Sequence, residues 1–293
     1  MSAPCENLRA WLGRTRDVRD TIRAQPAEFL RATLEQTQIA NAAALTSGAT
    51  LPPCWHWLFF LEAAPPSGLG RDGHAARGEF LPPVALPRRM WAGGRLEFAE
   101  PLRIGENIVR KSAIKDIQEK TGRSGELCFV TVRHEFFGED GGACKMSEEH
   151  DIVYREDDLS PASKFVKPAP KPPAAPQDAD SRIEITADAV MLFRYSALTF
   201  NSHRIHYDAD YCREVENYPA QVVHGPLIAT LLAGLAAKSA GGALRKFSYR
   251  AVSPLFAAQP FSIAMKKLQN GELEIWAANA RGELAMSARA APA

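Results

Sequence analysis

The chain has 293 residues, long enough for one large domain or two of ordinary size, each able to bury a core. Its 35 Lys and Arg against 34 Asp and Glu leave a net charge of +1, which excludes an electrostatic case for nucleic acid or an anionic membrane surface. Hydrophobic residues at 46% and charged residues at 24% are ordinary for a water-soluble globular protein.

Taken in chain order, the N-terminus "MSAPCENLRAWLGR" has no apolar core of the kind a secretory signal needs, so the expectation is a cytoplasmic protein. Residues 27–45 have helical periodicity without Gly or Pro and predict a helix. A proline-rich, aromatic stretch follows over 51–91, with "PPCWHWLFF" and "LPPVALPRRMW". "WHWLFF" reads as core or as the lining of an acyl pocket. Trp91 reads as preceding the first sheet, with the glycines after it permitting close approach to the other half. Arg88 and Arg89 read as solvated surface arginines, or as partners for phosphates or a substrate carboxylate. Residues 126–137 alternate so that Cys128, Val130, Val132, His134 and Phe136 share a face of a strand. A turn at 138–143 leads to a returning strand at 144–154.

Residues 160–180 hold six prolines and predict a solvated, semi-extended linker. This sets the expected domains at 1–159 and 181–293. In the second half, 186–199 predicts a helix capped by Thr186, and "TFNSHRIHYD" (199–208) a polar loop. Residues 225–239 predict a buried helix opening on Gly-Pro and ended by Gly241 and Gly242. Its apolar core, "LIATLLAGLAA", is too short to span a bilayer. Strands follow at 244–252, 261–268, 272–278 and 283–290, with Asn270-Gly271 predicting a type I′ hairpin. Each half thus begins helical and ends in strands. An antiparallel sheet curled around an apolar helix is the hot-dog arrangement, and two of them predict an α+β, double hot-dog pseudo-dimer.

The five cysteines form no CxxC pair, so neither a disulfide framework nor a zinc knuckle is expected. In the 199–208 loop, Asn201, His203, His206 and Asp208 lie within eight residues. One reading is capping: Asp208 starts the next helix and Asn201 stops the previous one. The other is chemistry. His206 can move a proton near neutrality, and Gly225, at the start of the apolar helix, offers a backbone N–H to a developing oxyanion. Addition of water to an α,β-unsaturated thioester needs that pair and demands neither a metal nor a redox cofactor.

"NSHRIH" (201–206) and "HGPLIATLL" (224–232) resemble the two motif elements of the MaoC-like (R)-hydratase family. Asn201 stands at the family's aspartate position and His206 at its histidine; His203 and Arg204 replace Asn and Pro. With "LPPCWHWLFFLEAAP", "LPRRMWAGGRLEF" and "GRSGELCFVTVRHEFF", the chain is similar to a double-hot-dog branch. Members of that branch hydrate mesaconyl-C4-CoA or itaconyl-CoA, giving citramalyl-CoA, or dehydrate 3-hydroxyacyl thioesters. The resemblance implies an acyl-CoA hydro-lyase with His206 as acid/base, Asn201 orienting and Gly225 as oxyanion donor. His203 and Asp208 are candidates for the second proton, and Trp91 and Arg88 line the substrate. A thioesterase is a competing reading, but the 225–239 helix carries no Asp or Glu. A non-catalytic acyl-CoA-binding protein is a third, suggested by the missing aspartate. A homodimer is expected over a monomer.

Overall fold

The computed structural model describes residues 7–39, 44–122, 125–156 and 171–293. Its strands are β1 (Thr15–Thr21), β2 (Arg88–Phe98), β3 (Asn107–Gly122), β4 (Gly125–Gly138), β5 (Met146–Arg155), β6 (Ser181–Thr186), β7 (Leu244–Ala251), β8 (Pro260–Lys267), β9 (Leu273–Asn279) and β10 (Leu284–Pro292). The helices are α1 (Ala24–Thr33), α2 (Ala189–Leu198), α3 (Ala209–Glu214) and α4 (Gly225–Ser239). All ten strands form one antiparallel sheet in the order β1-β3-β4-β5-β2-β7-β10-β9-β8-β6. The seam between the halves is the β2–β7 pair, which runs from Gly93 opposite Arg250 to Glu97 opposite Lys246.

The β4 alternation holds: Cys128, Val130, Val132 and Phe136 are buried on one face beside Ile152 and Met146 of β5. The opposite face carries charge. Arg95 reaches both Glu149 and Asp151, and Lys115 pairs with Glu149. In the C-terminal half both faces are covered. Ile263, Met265, Ile275 and Ala277 face the main core, while Ala264, Trp276 and Ala278 pack on the other side with Ala175. That explains why β8 and β9 read as near-continuous apolar runs.

α4 occupies the predicted 225–239. Leu227, Ile228, Leu231, Leu232 and Leu235 are buried, and the helix packs against β7 to β10. Truncating a leucine in such a setting costs about 2–5 kcal/mol. Ile39 from the first half sits against Gly234, so one core serves both halves.

Several expectations are corrected. The first helix ends at Thr33, followed by a single 3₁₀ turn at Glu35–Thr37 and a left-handed Gln38; residues 40–43 lie outside the described residues. Thr186 ends β6, and Asp188 caps α2 by accepting from the Met191 N–H at 2.8 Å. Trp91 lies within β2 rather than before it. At Asn270-Gly271 only the glycine is left-handed, so the turn is not type I′. Part of the proline-rich segment, 157–170, lies outside the described residues. The remainder, 171–180, is mostly exposed, but it is tied to the sheet: the Pro173 carbonyl accepts from the Leu284 N–H, the Ala175 N–H donates to the Gly282 carbonyl, and Ala175 is buried.

No helix among the described residues is long and apolar enough to cross a membrane.

Candidate active site

α2 ends at Thr199, and Phe200 turns the chain in a left-handed conformation. The Asn201 N–H then donates to the Ser196 carbonyl at 2.8 Å, while its side-chain Oδ1 accepts from the His203 N–H at 3.0 Å. Asn201 therefore shapes the loop, and its amide NH₂ remains available as a donor. A 3₁₀ turn at Arg204–His206 buries His206, whose Nδ1 lies 2.8 Å from the Val222 carbonyl. A carbonyl only accepts, so Nδ1 carries the hydrogen and Nε2 is left as the basic atom. The Val222 N–H in turn donates to the Ile205 carbonyl.

The His206 ring stacks on His224 with centroids 3.6 Å apart. His224 is fully buried and within hydrogen-bond distance of the Ser196 hydroxyl at 2.8 Å. It immediately precedes Gly225, the first residue of α4, whose N–H has no intrahelical acceptor. A side chain at 225 would put its Cβ 2.6 Å from the Trp91 ring, so only glycine admits this contact. Trp91 also stacks on Tyr249 with centroids 4.4 Å apart. The indole is thereby fixed over the start of α4.

Two residues from the first half, unremarked in the sequence reading, complete the cluster. The His74 ring lies 4.3 Å from His203, which is set edge-on to His206 at 5.4 Å. His74 Nδ1 lies 3.3 Å from an Asp72 carboxylate oxygen, and the other oxygen accepts from the His74 N–H at 3.0 Å. The two loops are docked through backbone: Arg204 N–H donates to the Asp72 carbonyl at 2.9 Å, and the Ser202 hydroxyl donates to the Gly73 carbonyl. Gly73 has φ +87°, and a Cβ there would meet the Ser202 carbonyl oxygen at 2.1 Å. Asp72, His74 and His203 present donor atoms within 4.8 Å of one another, a set suited in kind to a divalent transition metal.

Burial pulls the His206 imidazole down to about 4, with the Val222 carbonyl opposing. Burial likewise holds His203, His74 and His224 below the ordinary value. These imidazoles are neutral at pH 7. Burial works to raise Asp72, but His74 outweighs it and holds the carboxylate below its usual range. Asn201, His74, Trp91, Arg89 and Gly225 are each half-buried, so the cluster reaches solvent on that side.

Two expected substrate contacts are placed elsewhere. Asp208 caps α3 through the Tyr211 N–H at 2.9 Å and pairs with Arg204, the capping role also foreseen for it. Arg88 is buried and paired with Glu216 at 2.7 Å, so it is neither a surface arginine nor free to take a substrate anion. "WHWLFF" is mostly core, and its polar members serve a second buried cluster. Glu148 accepts from Trp57 Nε1 at 3.0 Å and lies 3.0 Å from His56 Nε2. His134 bonds the Ser112 hydroxyl at 2.7 Å, and the half-buried His150 lies nearby.

The profile of the hydroxyacyl-thioester dehydratase type 2 family matches residues 54–257. The chain is 44% identical over 282 residues to mesaconyl-C(4)-CoA hydratase of Chloroflexus aurantiacus, covering 95% of each. Among solved structures, a MaoC-like dehydratase superposes with TM-score 0.70 at 16% identity, covering 97% of this chain and 98% of the other. A Mycobacterium tuberculosis protein described as a double hot-dog fold superposes with TM-score 0.53 at 11% identity, over 95% of both chains. The continuous sheet and these superpositions make the fold an α+β double hot-dog.

Proposed function

The chain belongs to the hydroxyacyl-thioester dehydratase type 2 family and is a hydro-lyase, and from that premise we propose that it adds water across the double bond of a dicarboxylic enoyl-CoA of the mesaconyl-C4-CoA kind. The observation that carries this reading is the stacking of neutral His206 on His224, the residue before the helix-start Gly225. A base and an oxyanion donor are thereby adjacent.

His206 Nε2 takes a proton from water as the hydroxyl adds to the β-carbon. The Gly225 N–H, at the positive end of α4, receives the enolate oxygen; one such donor is typically worth about 3–4 kcal/mol of barrier. Asn201, with its free NH₂, orients the water or the thioester. The proton that His206 has taken then passes to the α-carbon, with His203, backed by His74 and Asp72, as the relay, and His206 returns to its neutral form. The net change is addition of one water, with no redox step.

The same groups run in reverse would dehydrate a 3-hydroxyacyl thioester of fatty-acid type, a reading favoured by the family's description. Thioester hydrolysis fits less well, because α4 carries no carboxylate. Crotonyl-, mesaconyl- and itaconyl-CoA, followed by absorbance with a thiol reagent in parallel, separate these readings. Loss of enoyl absorbance without thiol release is expected; thiol release would overturn the hydratase reading, and no reaction would leave a binding protein.

The described cysteines are unpaired, in keeping with a reducing cytoplasm. Phe29 on α1 and Val190 and Phe193 on α2, helices in mutual contact, are exposed and offer apolar surface for a homodimer. Light scattering tests the latter.

A further inference from the structure

We propose that Arg89 is the anchor for the free carboxylate of a dicarboxylic acyl group, and so the residue that makes this site prefer such substrates over simple enoyl thioesters. The inference rests on the hydratase reading and deepens it.

Arg89 pairs with Tyr154 across β2 and β5, and Trp91 pairs with Ile152. Residues two apart on a strand share a face and lie about 6.5–7 Å apart, so Arg89 is on the face from which Trp91 touches Gly225. Arg89 is half-buried, and among the described residues its guanidinium makes no hydrogen bond or ion pair. It is not among the buried polar groups that lack a partner, so its five donors face water and are open to a ligand. The other nearby arginines are committed. Arg88 is neutralised by Glu216, and Arg77 donates to the carbonyls of Val84 and Leu86.

The charge of Arg89 is felt at the catalytic cluster. After burial it is the main influence keeping His74 neutral, and it acts in the same sense on His203 and His150. Asp72 is the one carboxylate of the cluster, and its oxygens are taken by His74. Arg89 is therefore a cation beside this cluster that no carboxylate of the described residues holds in an ion pair, while Asp72 is held by His74. In a mesaconyl-C4 thioester the free carboxylate hangs on the β-carbon, the carbon that receives the hydroxyl. With the thioester carbonyl at Gly225 and the β-carbon at His206, that carboxylate points away from α4, toward His203, His74 and Arg89. A charge-assisted, two-toothed pair with the guanidinium would fix the β-carbon in position for attack.

The test is the ratio of kcat/KM for mesaconyl-C4-CoA to that for crotonyl-CoA, which lacks the second carboxylate. In Arg89→Gln the ratio is expected to fall roughly 10²-fold, in line with the loss of one partner of a desolvated charge pair. Arg89→Lys, keeping charge but not the fork, is expected to restore it in part. An unchanged ratio overturns the proposal: equal falls on both substrates would place Arg89 on the CoA phosphates or in the fold, and no fall would leave it without a role. A wild-type protein active on crotonyl-CoA but not on mesaconyl-C4-CoA would overturn the anchor while sparing the hydratase reading. Activity on neither would overturn both.

Discussion

The two halves each bury a knot of histidines, and the knots differ in what their carboxylates do. Around Glu148, in the first half, His56 and Trp57 occupy both oxygens, and Glu148 and His56 are themselves buried. Burial works to raise Glu148, but the hydrogen bond and charge of His56 hold it down at about 2. Around His206, in the second half, the one carboxylate among the described residues of the cluster is lent by the other half, as Asp72, and it contacts His74 rather than the central imidazole. His206 keeps one ring nitrogen free, and its neighbours reach solvent. On the proposed function, the same residue type serves packing where its partners are complete and chemistry where one atom is left unsatisfied.

The contrast is most sharply tested at its two centres. His206→Ala is expected to lower kcat by roughly 10²–10⁴-fold, the range for loss of an acid/base group, with thermal unfolding nearly unchanged. Near-normal turnover would remove the catalytic role. Glu148→Ala should do the opposite. It leaves buried His56 and the half-buried Trp57 N–H without their partner, at about 3–5 kcal/mol, so denaturant midpoints should fall steeply while turnover per folded molecule persists.

Gly73→Ala probes the docking of the two loops. The left-handed backbone and the clash with Ser202 predict roughly 1–3 kcal/mol of strain. They also predict a fall in kcat approaching about 10²-fold as His74 is displaced. Loss of stability alone would show the first-half loop to be a support rather than part of the site.

Proton linkage should touch both knots. His150 and His206 are held near 4 and His134 near 3 by burial, whereas the unfolded chain titrates near about 6.5. Between these values the unfolded state binds protons that the folded state refuses. Stability is therefore full above pH ~6.5 and drains away as pH falls toward ~4. Thermal midpoints across that window check this, and His150→Gln should flatten the slope. On the proposed function neutral His206 is the active form, which puts the acid limb of kcat/KM near 4. The smallest effect expected is from Asn201→Ala, roughly fivefold in kcat, the worth of about one hydrogen bond. Asn201→Asp should keep activity and move its pH profile.

Much of the second half was legible in sequence because its signals are local. The 225–239 helix, bounded by Gly-Pro and Gly-Gly, and the last four strands stand close to where periodicity puts them. In the first half, β3 passed unnoticed because "NIVRKSAIKDIQEKTG" carries charge on its outer face and shows no clean alternation. Thr186 and Asp188 are both plausible caps, and only the pairing of β6 with β8 decides between them. At the site, His206, Asn201 and Gly225 could be singled out from spacing and resemblance. Asp72 and His74 could not. "GRDGH" has no periodicity, and it meets Ser202 across 129 residues of chain, a contact that tertiary folding alone creates. Arg88 and Arg89 look alike in sequence; the presence of Glu216 beside one of them separates their roles.

The contact between Trp91 and Gly225 has a practical consequence. Trp55 and Trp276 are sealed in the interior, whereas the Trp91 indole is half-buried over the α4 N-terminus. On the proposed function, a thioester arriving at that N-terminus changes the polarity around this ring and around its half-buried neighbour Trp57, whose centroid lies 5.7 Å away. The chain therefore carries its own optical probe: emission quenching on titration with a saturated acyl-CoA reads occupancy directly, without turnover and without a label.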